Sequence, residues 1–335
     1  LQSWSFGSRL GTITTAQFQA ALDRFNLGRF VTAAPIGGGT FGQVCYLASS
    51  EGDWVFRGNP LLPGQFSEEA YFARVLHEQT SAPVAWPYMV ESSVDEFDWP
   101  YVVMPKMPGL DFDAKQRAGR TTATDDRLVA LAMGRLLAET QTVTSTDWAV
   151  FDPETNGLRT VDQAFAADKA TALLDTIRDR GSLQLSESDA SWIDERIELG
   201  RSSLQLPAIP RLAVGDFKDQ NMTFTRVECD WQVTGLFDLM GTCFQHGESA
   251  FARQFCKSLV YRRADVASLI EGYAESMPIE QGYDERLAFF VLLERLDIWE
   301  WAWRTDMVWW DRMLSFRAWA EPAVIAASEI GRAAL

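Results

Sequence analysis

Three side chains within one 27-residue stretch have the types and spacing for joint chemistry. In residues 212–238, LAVGDFKDQNMTFTRVECDWQVTGLFD, Asp216 precedes Asn221 by five positions and Asp238 ends the stretch. A carboxylate such as Asp216 can orient, or accept a proton from, an attacking hydroxyl. The amide oxygen of Asn221 and the carboxylate of Asp238 are hard ligands suited to Mg²⁺, which takes its other oxygens from phosphates and water. Together the three suit phosphoryl transfer from a nucleotide to an alcohol. The same spacing also fits a plain polar turn built from Asp216, Asp219 and Asn221.

Those side chains need elements to hold them. Residues 222–226 (MTFTR) and 231–237 (WQVTGLF) read as two strands joined by a polar turn near residues 228–230. Such a hairpin sets Asn221 at the start of one strand and Asp238 at the end of the other. A strand-like LAV feeds Asp216.

A second group lies near the N-terminus. Gly37, Gly38, Gly39, Thr40, Phe41 and Gly42 form a glycine-rich turn between strand-like runs. Glycine lets a backbone approach phosphate oxygens without a Cβ in the way. A strand, not a helix, follows, and no Lys-Ser/Thr ends the run, so P-loop and Rossmann readings fail on context. A nucleotide cover and a structural hairpin both remain. Residues 53–57, DWVFR, alternate as a strand and end in Arg57, whose fork of donors can grip phosphate. A helix over 66–79, capped at Ser67, carries Glu69 as the expected partner of Arg57. Strands at 82–90 and 99–104 complete a five-stranded sheet, with a helix over about 15–25 capped at Thr14 or Thr15. MPKMPG, residues 104–109, breaks regular structure and reads either as an ordinary domain hinge or as a connector able to bind an adenine ring, with Met104 and Met107 near it.

The remainder is helical. Residues 127–143 form an amphipathic helix, with further helices expected at 161–180, 188–200, 247–262, 264–275, 283–303, 306–316 and 319–333. Residues 111–126 read as a loop. In the last part Asp297, Glu300, Trp299 and Trp303 stand among other tryptophans and carboxylates. Aromatic faces with carboxylates can enclose an ammonium group. A helical core is the plainer reading of the tryptophans.

Composition narrows the classes. The 335 residues carry 46 acidic against 30 basic side chains, a net charge of −16. That disfavours nucleic acid as a partner and favours a cationic small molecule. No apolar run reaches membrane-spanning length, so no membrane partner is expected. Four cysteines without a C-x-x-C pattern, and no signal-peptide core at the start, point to the cytoplasm. The only histidines are His77 and His246, too few for a zinc site with these cysteines. Nothing decides between monomer and homodimer.

Five stretches in order, GGGTFGQV (37–44), VFR (55–57), EEAYFARVL (68–76), YVVMPKMPG (101–109) and VGDFKDQNMTF…VTGLFD (214–238), resemble the aminoglycoside phosphotransferase and choline kinase-like enzymes. These are the small-molecule branch of the protein-kinase-like superfamily. The resemblance covers about 200 residues, the last 90 matching only in being helical. It implies an α+β bilobal fold: a small antiparallel-sheet N-lobe (1–104), a hinge (105–110) and a larger, mostly helical C-lobe (111–335) with a catalytic loop at 214–222. It implies ATP or GTP and Mg²⁺ as cofactors, and transfer of the γ-phosphate to a hydroxyl of a small molecule, antibiotic or metabolite. Aminoglycosides, amino alcohols, sugars, homoserine and macrolides are all candidate acceptors, and a catalytically weak binding module is the non-enzymatic alternative. Asp216 looks like the catalytic aspartate, Asn221 and Asp238 the metal ligands, Arg57 the phosphate grip and Glu69 its helix partner. The family's histidine two residues before the aspartate is Val214 here, which hints at a divergent branch.

Overall fold

Alternation along the strands sorts the N-terminal side chains onto two faces of one sheet. The computed structural model describes residues 3–7, 9–36, 42–180, 185–261 and 263–334. The expected cover residues Gly37, Gly38, Gly39, Thr40 and Phe41 lie outside these. In chain order the first elements are β1 (Ser3–Ser5), β2 (Thr12–Thr14), α1 (Thr15–Arg24), β3 (Phe30–Pro35), β4 (Val44–Ser49), β5 (Gly52–Gly58), α2 (Gln65–Gln79), β6 (Met89–Glu91) and β7 (Tyr101–Pro105). Five of the strands form an antiparallel sheet in the order β3-β4-β5-β7-β6. Successive strand residues point to opposite faces. Phe56, Tyr101 and Val103 therefore pack under α1 with Phe18, Ala21 and Leu22. Val102 and Met104 face the main core with Phe72 and Leu76 of α2. Arg57, next to Phe56, is turned toward α2 by the same alternation.

Local capping explains the start of α1 but not that of α2. Thr14 and Gln17 make a reciprocal capping box for α1. The expected Ser67 cap of α2 is not used: the helix starts earlier, after Gly64 at φ +77.

The helical part contains α3 (Phe112–Arg117), α4 (Ala123–Thr140), β8 (Ala149–Asp152), β9 (Gly157–Thr160), α5 (Phe165–Asp179), α6 (Glu187–Leu204), β10 (Arg211–Ala213), β11 (Met222–Val227), β12 (Asp230–Leu236), β13 (Cys243–Gln245), α7 (Ala252–Tyr261), α8 (Arg263–Ala274), α9 (Tyr283–Arg304) and α10 (Phe316–Ala334). β11 and β12 form the expected hairpin, with Met222 opposite Leu236. α4 crosses α8 closely: a Cβ on Gly134 would stand 2.1 Å from the Leu269 carbonyl oxygen, and one on Gly272 2.2 Å from that of Leu131. α9 runs through the main core with Leu287, Val291, Leu292, Leu296 and Trp299 buried.

Three local expectations are corrected. Residues 112–117 form a short helix, capped by Asp111, where a loop was expected. Residues 306–315 are not helical, because Met307 N–H closes back on the Ala302 carbonyl at 2.8 Å and Asp306 takes φ +56. A four-stranded sheet, β10-β13-β8-β9, was not anticipated beyond its first strand.

Candidate active site

Asp216 follows β10 on a loop pressed against the segment after β12. A Cβ on Gly215 would stand 2.4 Å from the Gly241 carbonyl carbon and oxygen, so only glycine fits there. Val214, in the place of the family's histidine, is fully buried in the main core. Asp216 Oδ2 accepts from Lys218 Nζ at 2.6 Å and from Asn221 Nδ2 at 2.9 Å. Asp216 Oδ1 faces Arg253 Nε at 3.2 Å. Burial raises the carboxyl's affinity for a proton, but Lys218 and Arg253 outweigh it and hold its pKa below the usual value. The group is thus an anion at neutral pH.

Asn221 closes the one-turn helix Asp219–Asn221 and leads into β11. Its Nδ2 also donates to the Asp216 carbonyl at 2.9 Å, which assigns the amide oxygen as its free group. The Phe237 N–H donates to the Asn221 carbonyl at 3.1 Å, so Asp238 begins one residue from Asn221's backbone. Asp238 has φ +62, a left-handed conformation that ends β12 and turns the chain.

One ion-pair chain ties the sheet to this loop. Arg57 Nη1 donates to Glu69 Oε2 at 2.7 Å, and Nη2 to Asp238 Oδ1 at 3.0 Å. Tyr88 Oη donates to the same Glu69 oxygen at 3.0 Å, and Gln65 Nε2 to the other at 3.2 Å. Burial pushes the Glu69 carboxyl up, against the pull of Arg57. Arg57's own pKa is raised: burial disfavours its charge, and Glu69 and Asp238 more than restore it. Next to Glu69, Glu68 accepts from the Gly241 N–H at 3.0 Å, a second contact from α2 to the loop beyond Asp238.

The nucleotide-side expectations divide. Met104 is buried in the main core, and Met107 packs against that core from the connector. Thr234 Oγ1 donates to the Pro108 carbonyl at 2.8 Å, which fastens the connector to β12. Gly42, at φ +62, accepts from the Leu10 N–H at 3.3 Å.

The expected acceptor cage is not assembled. Trp299 is fully buried in the core, ringed by Trp303, Trp310, Phe316 and Trp319 at centroid distances of 5.6, 5.4, 5.4 and 5.6 Å. Trp303 takes the Arg312 guanidinium over its ring at 5.3 Å. Glu300 pairs with Arg180 and Arg304. Asp297 pairs with Lys169 at 3.3 Å. The physical reason is helix geometry: Trp299 occupies α9's buried stripe, and Glu300, one residue on, turns away from it.

Sequence reasoning missed the residues that crowd the loop of Asp216. Arg253 and Lys257 lie four apart on α7 and so share a face. Arg253 reaches Asp216 and, at 2.7 Å, Glu294. Lys257 pairs with Asp219 and, at 2.6 Å, with Asp113. Gln254 accepts from the Asp219 N–H at 3.0 Å. The signals were present in outline: Glu294 is a charge inside the apolar run AFFVLLERL, and such a charge needs a buried partner.

The donor set fits Mg²⁺ shared with phosphates. Among the described residues no group of three or more His, Cys, Asp or Glu side chains could hold a metal unaided. Asn221 and Asp238 instead offer two hard oxygen donors at neighbouring strand ends, the few that a phosphate-bridged ion requires.

Solved structures of known proteins share the fold. The structure of the GDP complex of wild-type aminoglycoside 2'-phosphotransferase-IIIa is similar at a TM-score of 0.63 and 13% identity, over 96% of this chain and 100% of that one. The structure of APH(2")-IIIa with GDP and kanamycin gives 0.64 and 13%, over 96% and 99%. A thermostable mutant of APH(4)-Ia in a ternary complex with ADP and hygromycin B gives 0.60 and 15%, over 95% and 99%. At these identities the likeness establishes the fold, the protein-kinase-like one of aminoglycoside phosphotransferases. No curated protein matches the chain in sequence. The family model described as "Phosphotransferase enzyme family" matches residues 32–275, nearly three quarters of the chain, and the chain belongs to that family.

Proposed function

We propose that this protein transfers the γ-phosphoryl group of ATP, or of GTP, to a hydroxyl of a small molecule. The observation that carries the reading is the Glu69–Arg57–Asp238 chain ending beside Asn221 and Asp216. It sets a phosphate-gripping guanidinium, two metal-ligand candidates and an ionised carboxylate around one point. Residues 1–104 then act as the nucleotide-covering lobe, 105–110 as a hinge with Met107 beside the nucleotide base and the buried Met104 just before it, and 111–335 as the lobe that holds the acceptor. Asn221 and Asp238 would hold Mg²⁺, which would neutralise phosphate charge. Arg57 binds phosphate oxygen, Asp216 orients the acceptor hydroxyl, and Lys218 balances the Asp216 charge. Positioning and electrostatics of this kind account for most phosphoryl-transfer catalysis.

The similar structures hold kanamycin and hygromycin B, which supports a small-molecule acceptor here. The net charge of −16 supports a cationic one at long range; the groups beside Asp216 argue the other way. Free Cys45, Cys229, Cys243 and Cys256 fit a reducing cytoplasm. No helix among the described residues is long and apolar enough to cross a membrane.

The test is calorimetry with AMP-PNP, with and without Mg²⁺, followed by phosphate transfer from labelled ATP across an acceptor panel. Mg²⁺-dependent binding is the expected result. A folded sample that binds no nucleotide would overturn the assignment.

A further inference from the structure

On the side of α9 away from the Asp216 loop, α6, α9 and α10 leave an open groove of about 410 Å³. Each helix lends it one stripe at three- and four-residue spacing. Phe289 and Leu292 of α9 and Val324 of α10, all buried, make the floor. Gly200 lets α6 lie directly on that floor: a Cβ there would stand 2.1 Å from the Phe289 ring. Leu199 and Ile325 are the lips, and they remain 53% and 51% exposed. Two half-exposed branched side chains beside an apolar floor make a contiguous apolar surface, the kind that marks a contact.

The groove has a positive end and a negative end. α6 runs antiparallel to α9, since Gly200 meets Phe289 and Gly282 meets Leu206. Arg196, one turn before Gly200, therefore stands at the Leu292 end. α10 is antiparallel to α9 as well, with Gly331 against Asp284, so Glu329 shares the opposite end with Glu285. Both glutamates are exposed, and neither has an ion pair among the described residues. Arg332 beside them holds Asp284 at 3.5 Å. Arg196 meets its chain neighbour Glu195 at 3.4 Å.

A second copy of the chain complements this pattern. A twofold axis through the middle of the groove reverses its direction, so the positive end of each copy faces the negative end of the other. Charge favours this face over others. The chain carries −16, so most faces of two copies repel, whereas here Arg196 and Arg332 match Glu285 and Glu329. A small apolar ligand lying on the floor would leave the outer sides of Leu199 and Ile325 in water and both charged ends unmet.

We propose that the groove is the contact of a twofold homodimer. Leu199 and Ile325 of each copy enter the floor of the other, and Arg196 meets the partner's Glu285 and Glu329. Glu294, two residues beyond Leu292, lies on the far side of α9, so the contact leaves the Asp216 loop open.

Sedimentation equilibrium and light scattering on the full chain should give twice the 37.6 kDa chain mass at about 50 μM, above the micromolar Kd expected of a standard-size contact. Ile325→Asp, and separately Leu199→Asp, should raise the dimer Kd about a hundredfold or more, because each change enters a twofold contact twice. Both side chains are half exposed, so circular dichroism and the cooperativity of the melt should be kept. Charge reversal tests the twofold pairing itself. Arg196→Glu and Glu329→Arg should each weaken the homodimer about tenfold, and mixing the two variants should restore a dimer, since both cross-pairs are then opposite in sign. A wild type that is monomeric at about 50 μM overturns the proposal. So does a dimer indifferent to Ile325→Asp and Leu199→Asp, or a mixture no tighter than its two components. Octanoate and decanoate probe the groove for a small apolar ligand: a monomer whose melting midpoint they raise would give the groove to such a ligand and overturn the proposal as well.

Discussion

Glu69→Gln isolates the charge of the buried carboxylate from its shape. The Arg57 and Glu69 side chains are 9% and 0% exposed, and their 2.7 Å contact is the more buried arm of Arg57's pair of ion pairs. Breaking a buried pair from one side costs about 3–5 kcal/mol, because a charge is left without its partner. Asp238 remains on the other arm at 3.0 Å, but it is more exposed, and the amide oxygen of the introduced glutamine can still accept from Tyr88. A cost near the lower bound, about 3 kcal/mol, follows. At roughly 2 °C per kcal/mol for a chain of this size, the melting midpoint should fall by about 6 °C. Burial pushes Glu69 up, so the folded state binds its proton more tightly than the unfolded chain does. The wild type therefore loses stability as pH rises while the variant does not, and the difference between the proteins should be larger at pH 6 than at pH 8. Nucleotide affinity should fall too, by about tenfold, since Arg57 loses the partner that aims it. Calorimetric melts at both pH values and a fluorescent-nucleotide titration read these effects. A double variant, Arg57→Met with Glu69→Leu, should regain stability without regaining nucleotide binding. A Glu69→Gln shift under about 1 °C with unchanged affinity refutes the reasoning. So does a double variant as unstable as the single one, since the cost would then lie in packing.

Other perturbations separate the remaining roles. Asp216→Asn should keep nucleotide affinity and lose turnover by about a hundredfold or more; near-full rates with every accepted acceptor would rule out its role. Asp238→Ala should weaken Mg²⁺-dependent nucleotide binding as well as turnover, read by calorimetry with and without the metal. Gly215→Ala must place a Cβ 2.4 Å from Gly241 backbone atoms, so its melting point and its rate should both fall, and an unchanged rate would show that the loop tolerates the shift. Burial pushes Glu294 up to about 7 from 4.5, so the folded state binds its proton more tightly than the unfolded chain does. Stability from this group is therefore complete below the unfolded value and is lost as pH rises through about 7; Glu294→Gln should flatten that slope in denaturant melts between about pH 5 and 8.

Legibility followed the range of the cause. Arg57 could be placed because a two-residue period fixes its face once Phe56 is in the core, and β4 and β5 pair across a short turn. The β11–β12 hairpin was readable for the same reason, and it brings Asn221 and Asp238 together. The β8–β9 hairpin carried a readable signal as well: Pro153 and Asn156, the latter at φ +52, stand in the four-residue loop between the paired Asp152 and Gly157. By contrast, Arg253 and Lys257 act on Asp216 and Asp219 through the docking of α7, some 37 residues further along the chain. No local pattern encodes that docking. The acceptor cage failed on helix phase: a dense run of Trp and acids shows that both kinds of face exist, and only packing decided that Trp299 is core while Glu300 meets arginines.

The overall charge says little about the field beside Asp216, and screening explains why. In about 0.15 M salt the field of exposed charges decays over about 8 Å, so most of the 46 acidic groups act weakly in the cleft. Four cations stand close to the catalytic loop or Asp238 instead: Arg57, Lys218, Arg253 and Lys257, each already held by a carboxylate. Phosphate oxygens arriving in the cleft therefore compete with carboxylates for cations already in place, and an incoming amine competes with those cations for the carboxylates. The first exchange replaces one anion by a stronger one. The second must first displace Arg253 from Asp216. An acidic chain can thus favour a nucleotide on one side of Asp216 and disfavour a polyamine on the other, with both preferences set by the same few side chains.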